Sequence, residues 1–292
     1  MNLVKRTVSI TLAAVLLTAL CVFVLAAQPG FDNFTYSGKY SPGQFRDVNG
    51  SEWFAQYVED GYNFGFFKGK SGNIFDHGGF LTLGEAVTLA SRLRSIYHTG
   101  RADFAESVPF YSVYVDYALS YGIIGRGGNY NTPVTRSVFA ELIYNALPPE
   151  AFPEINTIAD YGICDVMQDA DFADAVYTLY SAGILAGSDR FGTFFPVSNI
   201  TRAEACTIMV RVANPSTRVK TNLPANIPAE TIFQRSVNSV FMLETFDVKG
   251  KTIRTKSNVA VDRTQTEIRK VFFQLPVYPF SRGMGGDRAK FF

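Results

Sequence analysis

The sequence is poor in the residue types that carry catalytic and metal chemistry. It has two histidines, one tryptophan and three cysteines among 292 residues. His77 and His98 stand alone, and neither Cys164 nor Cys206 has the nearby cysteine or histidine that a zinc site requires. We therefore predict no metal ion, no cofactor and no catalytic residues, so that the protein is not an enzyme.

Cysteine is also too scarce for a disulfide framework. Cys21 lies within the N-terminal apolar run, which leaves only Cys164 and Cys206 for the rest of the chain. We predict that these two are small buried hydrophobes, with a single optional disulfide as the alternative.

Neither sign of charge is in excess. The 27 lysines and arginines nearly balance 26 acidic residues, so the net charge is +1. This balance gives no reason to expect nucleic acid or an anionic membrane surface as a partner. Any recognition of an anion must depend on a local arrangement.

A long apolar run lies at the N-terminus. Lys5 and Arg6 precede an uncharged stretch over residues 8–27 that ends in small residues. This order is typical of a secretory signal peptide, here residues 1–27, cleaved after Ala26 or Ala27. Because a run of about 20 apolar residues can also span a bilayer, an uncleaved membrane anchor is the alternative.

The rest of the chain contains a repeated pattern. An amphipathic helix is predicted three times, with apolar residues at the same offsets from a threonine, in residues 80–93, 133–147 and 199–213. A second helical pattern precedes each one, and these patterns end at Gly65, Gly122 and Gly183. One such pair cannot bury both apolar faces, but three can share a core. We therefore predict a mainly α fold of three helix-loop-helix repeats.

The second helix of two repeats begins with a capping box. Thr201 is followed three residues later by Glu204, and Thr82 by Glu85. In such a box the threonine hydroxyl accepts from the glutamate amide, and the glutamate side chain reaches back to the threonine amide. We predict that Thr82, Glu85 and Glu204 cap their helices, with about 0.5–2 kcal/mol of stabilisation for each cap.

Capping does not require the arginine that follows the threonine. Arg202, and Arg136 in the second repeat, stand at the first helical position, where a cation opposes the helix dipole by up to about 1 kcal/mol. Free amides and a guanidinium at a helix N-terminus can together receive a carboxylate or phosphate, and one charge-assisted bond contributes roughly 1.5–3 kcal/mol. The alternative is that each arginine pairs with a carboxylate of a neighbouring repeat.

These elements resemble the repeat of the S-layer homology family. An F-x-D-V element stands at residues 45–48, with a shortened copy, CDV, at 164–166. The glycine turn reads GFFKG, GIIGR and GILAG in the three repeats, and T-R-A-E is intact at residues 201–204. The resemblance covers residues 45 to 214, and its specificity lies in three copies with linked spacing.

The copies depart from the family pattern in four places. Leu83 replaces the arginine in the first repeat, Val138 replaces the glutamate in the second, and Phe104 stands where the second repeat should have its aspartate. The third repeat has Asp171 at the position of the family aromatic, which is Trp53 in the first. The three repeats are therefore not expected to act alike.

The resemblance implies a fold and a role for these residues. S-layer homology repeats form a pseudo-threefold helical assembly and bind secondary cell wall polysaccharide in grooves between repeats, where the T-R-A-E arginine receives the carboxylate of a pyruvylated sugar. The implied glycan-binding residues are Arg202, Arg136, Trp53, Thr201 and Thr135. Leu83 removes this chemistry from one groove, so at most two grooves are expected to function. Core packing is the alternative for Trp53, whereas Asp47 and Asp165 are expected to be caps or loop anchors and not ligands.

The predicted boundaries follow from these patterns. They are a signal peptide at 1–27, a linker at 28–44, repeats at 45–100, 101–154 and 155–215, and a linker with a truncated or disordered tail at 216–292. In the tail we predict a short helix and a strand before a Lys-Gly turn, and no clear periodicity beyond Lys251.

Part of the tail resembles a second family. Residues 229–251 resemble the start of a trypsin-like serine protease domain, but no histidine base or serine nucleophile segment follows. One hypothesis is therefore that the chain is a truncated or frame-shifted product.

Together these observations predict a secreted protein of a Gram-positive-type envelope, held noncovalently at the cell wall or S-layer. Its expected partner is a wall polysaccharide with carboxylate substituents, and the membrane is contacted only through the signal segment. One alternative is a fragment of a wall-anchored serine protease. The other is a structural surface-layer protein whose arginines form internal ion pairs.

Overall fold

The computed structural model describes residues 27–189 and 191–223, and the backbone of three short strands further on. Nearly all of the predicted signal segment, including Cys21, lies outside the described residues, as does the short helix predicted in the tail. Within the described part of the chain, no helix combines the length and the apolar character needed to cross a membrane.

The described part of the chain is mainly helical, which confirms the predicted fold class. Its six α-helices are α1 (Ala55–Asn63), α2 (Leu83–Thr99), α3 (Ser112–Ser120), α4 (Arg136–Ala146), α5 (Ala173–Ser181) and α6 (Arg202–Ala213). Single 3-10 turns occur at Phe31–Asn33, Pro149–Ala151 and Pro215–Thr217. Two α-helices fall in each of the three predicted units.

The first helix of each unit ends in the predicted glycine turn. Gly65, Gly122 and Gly183 have φ angles of 73°, 68° and 70°. These values lie in the left-handed region, where glycine avoids the clash that a Cβ would make. The two residues after each glycine are buried, so the chain returns to the core directly after the turn.

The second helices start from a closed ring of three backbone hydrogen bonds. The amide of Leu81 donates to the carbonyl of Ile200 (3.2 Å), the amide of Ile200 to Val134 (3.0 Å), and the amide of Val134 to Leu81 (2.9 Å). All three side chains are buried. Each residue immediately precedes the threonine that caps its helix. The ring therefore holds the three helix N-termini next to one another.

The helices pack mainly between units. Helix α3 packs against α2, and α5 packs against α4, so each of these first helices lies on the second helix of the preceding unit. Helix α1 packs against α6, which completes the circle. Gly61 permits this last contact, because a Cβ at that position would overlap the Cys206 sulfur. One continuous hydrophobic core results.

The segment predicted to be a linker, residues 28–44, is part of the first unit. Phe34 is buried in the core, as is Phe152 in the third unit. The amide of Ser37 donates to the Asn63 carbonyl at the end of α1 (2.7 Å), and the third unit makes the same bond at the end of α5. The prediction placed the boundary at the F-x-D-V element. It therefore missed a phenylalanine that lies thirteen positions before the aspartate in both units.

The predicted C-terminal linker also begins with ordered contacts. The amide of Val219 donates to the Gly183 carbonyl (2.8 Å). The amide of Thr221 donates to Oδ1 of Asn156 (2.9 Å). Residues 216–223 therefore complete the third unit instead of leaving it.

Three strands in the tail form an antiparallel sheet in the order β2-β1-β3. They are β1 (Leu243–Asp247), β2 (Thr252–Thr255) and β3 (Thr266–Glu267). Strand β1 is the strand predicted before the Lys-Gly turn, and it pairs with β2 from Leu243↔Thr255 to Phe246↔Thr252. Strands β2 and β3 lie beyond Lys251, where the sequence has no clear periodicity.

The two cysteines of the described residues are not joined to each other by a disulfide. Cys206 is buried, with its Sγ donating to the Tyr57 carbonyl at 3.1 Å. Burial raises the pKa of this thiol, so it stays protonated. Cys164 is half-buried. The prediction of small buried residues therefore describes Cys206 better than Cys164.

Gly61→Ala is expected to lower the free energy of unfolding by about 1–3 kcal/mol, because the added methyl overpacks the contact between α1 and α6. Denaturant unfolding followed by circular dichroism measures this change. In a Cys206→Ala background the same substitution should have little effect, because the sulfur is gone. Gly50→Ala is the control, since a Cβ there meets nothing within 4 Å. Equal effects at positions 50 and 61 would contradict the packing described.

Candidate functional site

The helix N-termini are not free to receive an anion. The Arg202 amide donates to the Gly79 carbonyl (2.9 Å) and the Ala203 amide to the His77 carbonyl (3.1 Å). Helix α4 makes the same two contacts with the loop of the third unit. The threonine cap takes the third amide. The sequence argument for free amides was therefore wrong, because a neighbouring unit packs against each helix end.

Both predicted capping boxes are present. Thr82 and Glu85 exchange hydrogen bonds of 3.2 and 2.9 Å between side chains and backbone amides. Thr201 and Glu204 do so at 3.3 and 2.9 Å. Thr135 caps α4 through its hydroxyl alone, at 3.4 Å, because the second unit has no glutamate three residues later. The threonine hydroxyls are thus engaged at the helix ends.

Arg136 is a buried strut between the second and third units. It is 8% exposed. Its Nε donates to the Phe194 carbonyl at 2.7 Å, and its Nη1 pairs with Glu204 Oε1 at 2.6 Å. The guanidinium carbon lies 5.4 Å from the centre of the Phe194 ring. Among the described residues, Nη2 has no hydrogen-bond partner.

Arg202 joins the third unit to the first and is also buried. It is 6% exposed, its Nε donates to the Phe75 carbonyl at 3.0 Å, and its Nη2 donates to the Lys68 carbonyl at 3.1 Å. Its Nη1 lies 3.8 Å from Glu85 Oε1. Burial lowers the pKa of this guanidinium. Both arginines therefore follow the alternative left open from the sequence, pairing with a carboxylate of a neighbouring unit.

Two aspartates anchor the loops that the arginines contact, as the sequence predicts. The Asp165 carboxylate accepts from the amides of Phe194 (2.9 Å) and Phe195 (2.6 Å). Asp47 accepts in the same way from Phe75 (2.8 Å) and from the next residue (2.7 Å). Burial raises the pKa of Asp165. At Asp47 burial also acts to raise the pKa, but the backbone amides outweigh it and the pKa is lowered.

A cleft of about 410 Å³ opens beside Arg136. Its walls are the turn after α5 (residues 184–188), one face of α6, and Trp53 from the start of the first unit. Trp53 is 60% exposed, so it is a surface residue of the cleft and not a core residue. The structure thus brings Trp53 and Arg136 together, although they are far apart in the sequence.

Arg211 supplies a second cation in the cleft, and sequence reasoning missed it. Its Nη1 donates to the Ile184 carbonyl at 3.2 Å, and its other nitrogens donate to the Tyr57 hydroxyl. A signal was present, because Arg92 stands at the same offset from its threonine and donates to the Gly65 carbonyl in the first unit.

The other predicted glycan-binding residues lie elsewhere. Arg202, Thr201 and Thr135 do not line this cleft, nor either of two further clefts of the described chain. The cleft beside Arg136 therefore combines one exposed indole with two guanidinium groups and the Glu204 carboxylate. An indole face packs well against the apolar face of a sugar ring, and guanidinium groups bind carboxylates. Within the described residues, no cluster of His, Cys, Asp and Glu could hold a metal ion.

The corresponding ion pair of the first unit has a different partner. Lys70 Nζ lies 2.7 Å from Glu85 Oε1, nearer than the guanidinium of Arg202. Burial alone would raise the pKa of Glu85, but the hydrogen bonds from Lys70 and from the Thr82 amide lower it below its ordinary value. Between the third and first units, the close partner of the capping glutamate is therefore a lysine, Lys70. Between the second and third units it is an arginine, Arg136.

Comparison with known proteins supports the family suggested by the sequence. Residues 165–206 match the sequence profile of the S-layer homology domain. The match runs from Asp165 through the turn after α5 to the start of α6, well under half of the chain. Domains of this class associate proteins with the cell surface and anchor them to the cell wall through secondary polymers. No curated protein sequence matches the chain.

Lys70→Met is expected to lower the free energy of unfolding by about 0.2–1 kcal/mol at neutral pH, the usual range for a partly exposed ion pair. Because the pKa of Glu85 is lowered in the folded protein, its stabilisation is present above the ordinary value of 4.5 and is lost as the pH falls through the folded pKa. The two proteins should therefore converge in acid. Urea unfolding at a series of pH values tests this.

Lys68→Met is the control for this comparison. It removes the same charge two positions away, and its ammonium forms no ion pair among the described residues. A difference between Lys70→Met and the parent protein that persists in acid would contradict the assignment.

Proposed function

We propose that this protein is a secreted, noncatalytic anchor that binds an anionic secondary cell wall polysaccharide in the cleft beside Arg136. The observation that carries the proposal is the meeting of an exposed indole, Trp53, with two guanidinium groups in one cleft. These groups belong to three different units of the chain. The cleft therefore exists only when the units are assembled.

The chemistry of the cleft fits a sugar that carries a carboxylate, such as a pyruvate ketal. Trp53 provides an apolar surface for the sugar ring. Nη2 of Arg136 is not used by a described residue, and Arg211 adds positive charge nearby. Glu204 holds Nη1, which orients the guanidinium but also repels an acid. The two cations exceed the one carboxylate, so the cleft favours an anion.

We further propose that a single cleft serves this function. At the Arg202 junction all three guanidinium nitrogens face the protein, and at the remaining junction Leu83 replaces the arginine. Of the at most two competent grooves expected from the sequence, we therefore propose that one remains.

A threefold assembly of S-layer homology repeats is the arrangement that we propose for the helical part. The ring of hydrogen bonds among Leu81, Val134 and Ile200 supports it, since equivalent residues of three units occupy equivalent positions. The family match itself lies within the third unit, at residues 165–206.

A structural surface-layer role is the second candidate. It is favoured by the internal ion pairs of Arg136 and Arg202, which join neighbouring units without any ligand. In that case removal of acidic substituents from the wall would not change binding.

Arg136→Gln is expected to weaken binding to purified, pyruvylated cell walls at least about tenfold, the loss of one charge-assisted hydrogen bond. Mild acid removal of the pyruvate ketals should weaken the unmodified protein to the same extent, and this arm requires no substitution. Arg126→Gln, in an exposed loop outside the cleft, is the control. Thermal unfolding of each variant separates loss of binding from loss of folding.

Equal binding to treated and untreated walls would overturn the proposed recognition and favour the structural role. If Arg136→Gln unfolds, Arg136→Lys provides the second test. It keeps the charge but loses the planar fork, so we expect intermediate binding.

Trp53→Ala is expected to weaken wall binding about 2- to 10-fold, the range for an aromatic contact. Its effect on the free energy of unfolding should stay within about 0.5 kcal/mol, because the indole is exposed. Cosedimentation with walls and thermal unfolding give the two readouts. Phe110→Ala, at the same position of the second unit and outside this cleft, is the control. Equal binding by both variants would remove Trp53 from the site.

A further inference from the structure

Asp165 and Arg136 hold opposite sides of the same two-residue turn. The Asp165 carboxylate accepts the amides of Phe194 and Phe195, and the carbonyl of Phe194 accepts from Arg136 Nε at 2.7 Å. Phe195 has a φ of 57°, in the left-handed region that a phenylalanine rarely adopts. The two hydrogen bonds from these amides to Asp165 hold the turn in this conformation. The Phe194 carbonyl then points at the arginine.

The loop of the first unit has the same arrangement of aspartate, left-handed residue and arginine. Asp47 accepts the amides of Phe75 and Asp76, and Asp76 has a φ of 65°. The Phe75 carbonyl accepts from Arg202 Nε at 3.0 Å. Two independent junctions of one chain therefore place an aspartate, a left-handed residue and an arginine in the same order.

The contact between the first and second units has neither the arginine nor the aspartate of this arrangement. The amide of Leu83 donates to the Thr132 carbonyl, which places this replacement for the arginine on the second unit. The second unit is also the unit in which Phe104 replaces the aspartate, and Phe104 packs instead on tyrosines of α3. Leu83 lies against Gly128, where a Cβ would be 3.2 Å from its Cδ2. The aspartate and the arginine are thus absent together from one junction.

We infer that Asp165 is a positioning residue for the Arg136 guanidinium, acting through the Phe194–Phe195 turn. The turn binds Nε while Glu204 binds Nη1, and these two contacts fix the plane of a guanidinium that lines the cleft. As a determinant of ligand affinity this role rests on the proposed function. As a determinant of the arginine's geometry it does not.

The first test is spectroscopic and needs no ligand. In Asp165→Asn one side-chain oxygen is replaced by the NH2 of a carboxamide, which cannot accept a hydrogen bond from a backbone amide. We expect the Arg136 Nε–H signal in a ¹⁵N-edited NMR spectrum to shift and to exchange faster with solvent, while that of Arg202 stays unchanged. Asp47→Asn should give the reverse result. Arg136→Lys and Arg202→Lys assign the two signals.

A purely structural aspartate would give a different result. Asp165→Asn would then lower the thermal midpoint but leave the Arg136 signal in place, and this outcome overturns the inference. Loss of both arginine signals together would also overturn it, since that would indicate general unfolding.

The second test measures binding to pyruvylated walls in a double-mutant cycle. We expect Asp165→Asn to weaken binding about tenfold alone and not at all in the Arg136→Gln background, because it acts only through that arginine. Equal weakening in both backgrounds overturns the inference. Correct NMR shifts with equal binding by every variant would instead remove the proposed function and leave the positioning role intact.

Discussion

The closed ring of hydrogen bonds among Leu81, Val134 and Ile200 is the constraint on which the rest of the helical structure depends. It uses backbone groups alone, so its geometry does not depend on which side chains follow. Because each ring residue directly precedes a helix, the ring brings three helix N-termini to one point. The first position of each second helix is thereby placed against the loop of another unit. This placement turns a local helix start into a contact between units.

The arginines are best understood as part of that contact. A cation at a helix N-terminus opposes the dipole by up to about 1 kcal/mol, and free amides were expected to compensate by receiving an external anion. The amides instead donate to neighbouring carbonyls, and each guanidinium contacts a carbonyl and a carboxylate of its own chain. Charge-assisted bonds of this kind contribute roughly 1.5–3 kcal/mol, which outweighs the dipole term without any ligand. Recognition of an anion therefore depends on what the internal contacts leave open.

Features confined to one unit could be predicted from the sequence, and features that cross units could not. The glycine turns and the capping boxes at Thr82 and Thr201 depend on a few adjacent residues, and the structure has them where the pattern places them. The partner of Arg136 depends on how the units close into a circle, which no local spacing specifies. The cleft residue Arg211 and the buried Phe34 were missed for a different reason. Both recur at fixed offsets in a second unit, but neither belongs to the motifs that define the repeat.

Three of the departures from the repeat pattern lie at one junction, that is, at one contact between neighbouring units. Leu83 belongs to the first unit by sequence, whereas Val138 and Phe104 belong to the second. The bond from the Leu83 amide to Thr132 places Leu83 at the second unit's loop, so all three replacements fall at one junction. An isolated loss of one partner would leave an unpaired charge or an unsupported turn at a buried site. When all three are replaced together, Leu83 and Val138 pack against the hydrophobic core and Phe104 packs against tyrosines of α3. The arginine, aspartate and glutamate that meet at a junction therefore act together. They are present at two junctions and replaced at the third, while the backbone ring joins all three units.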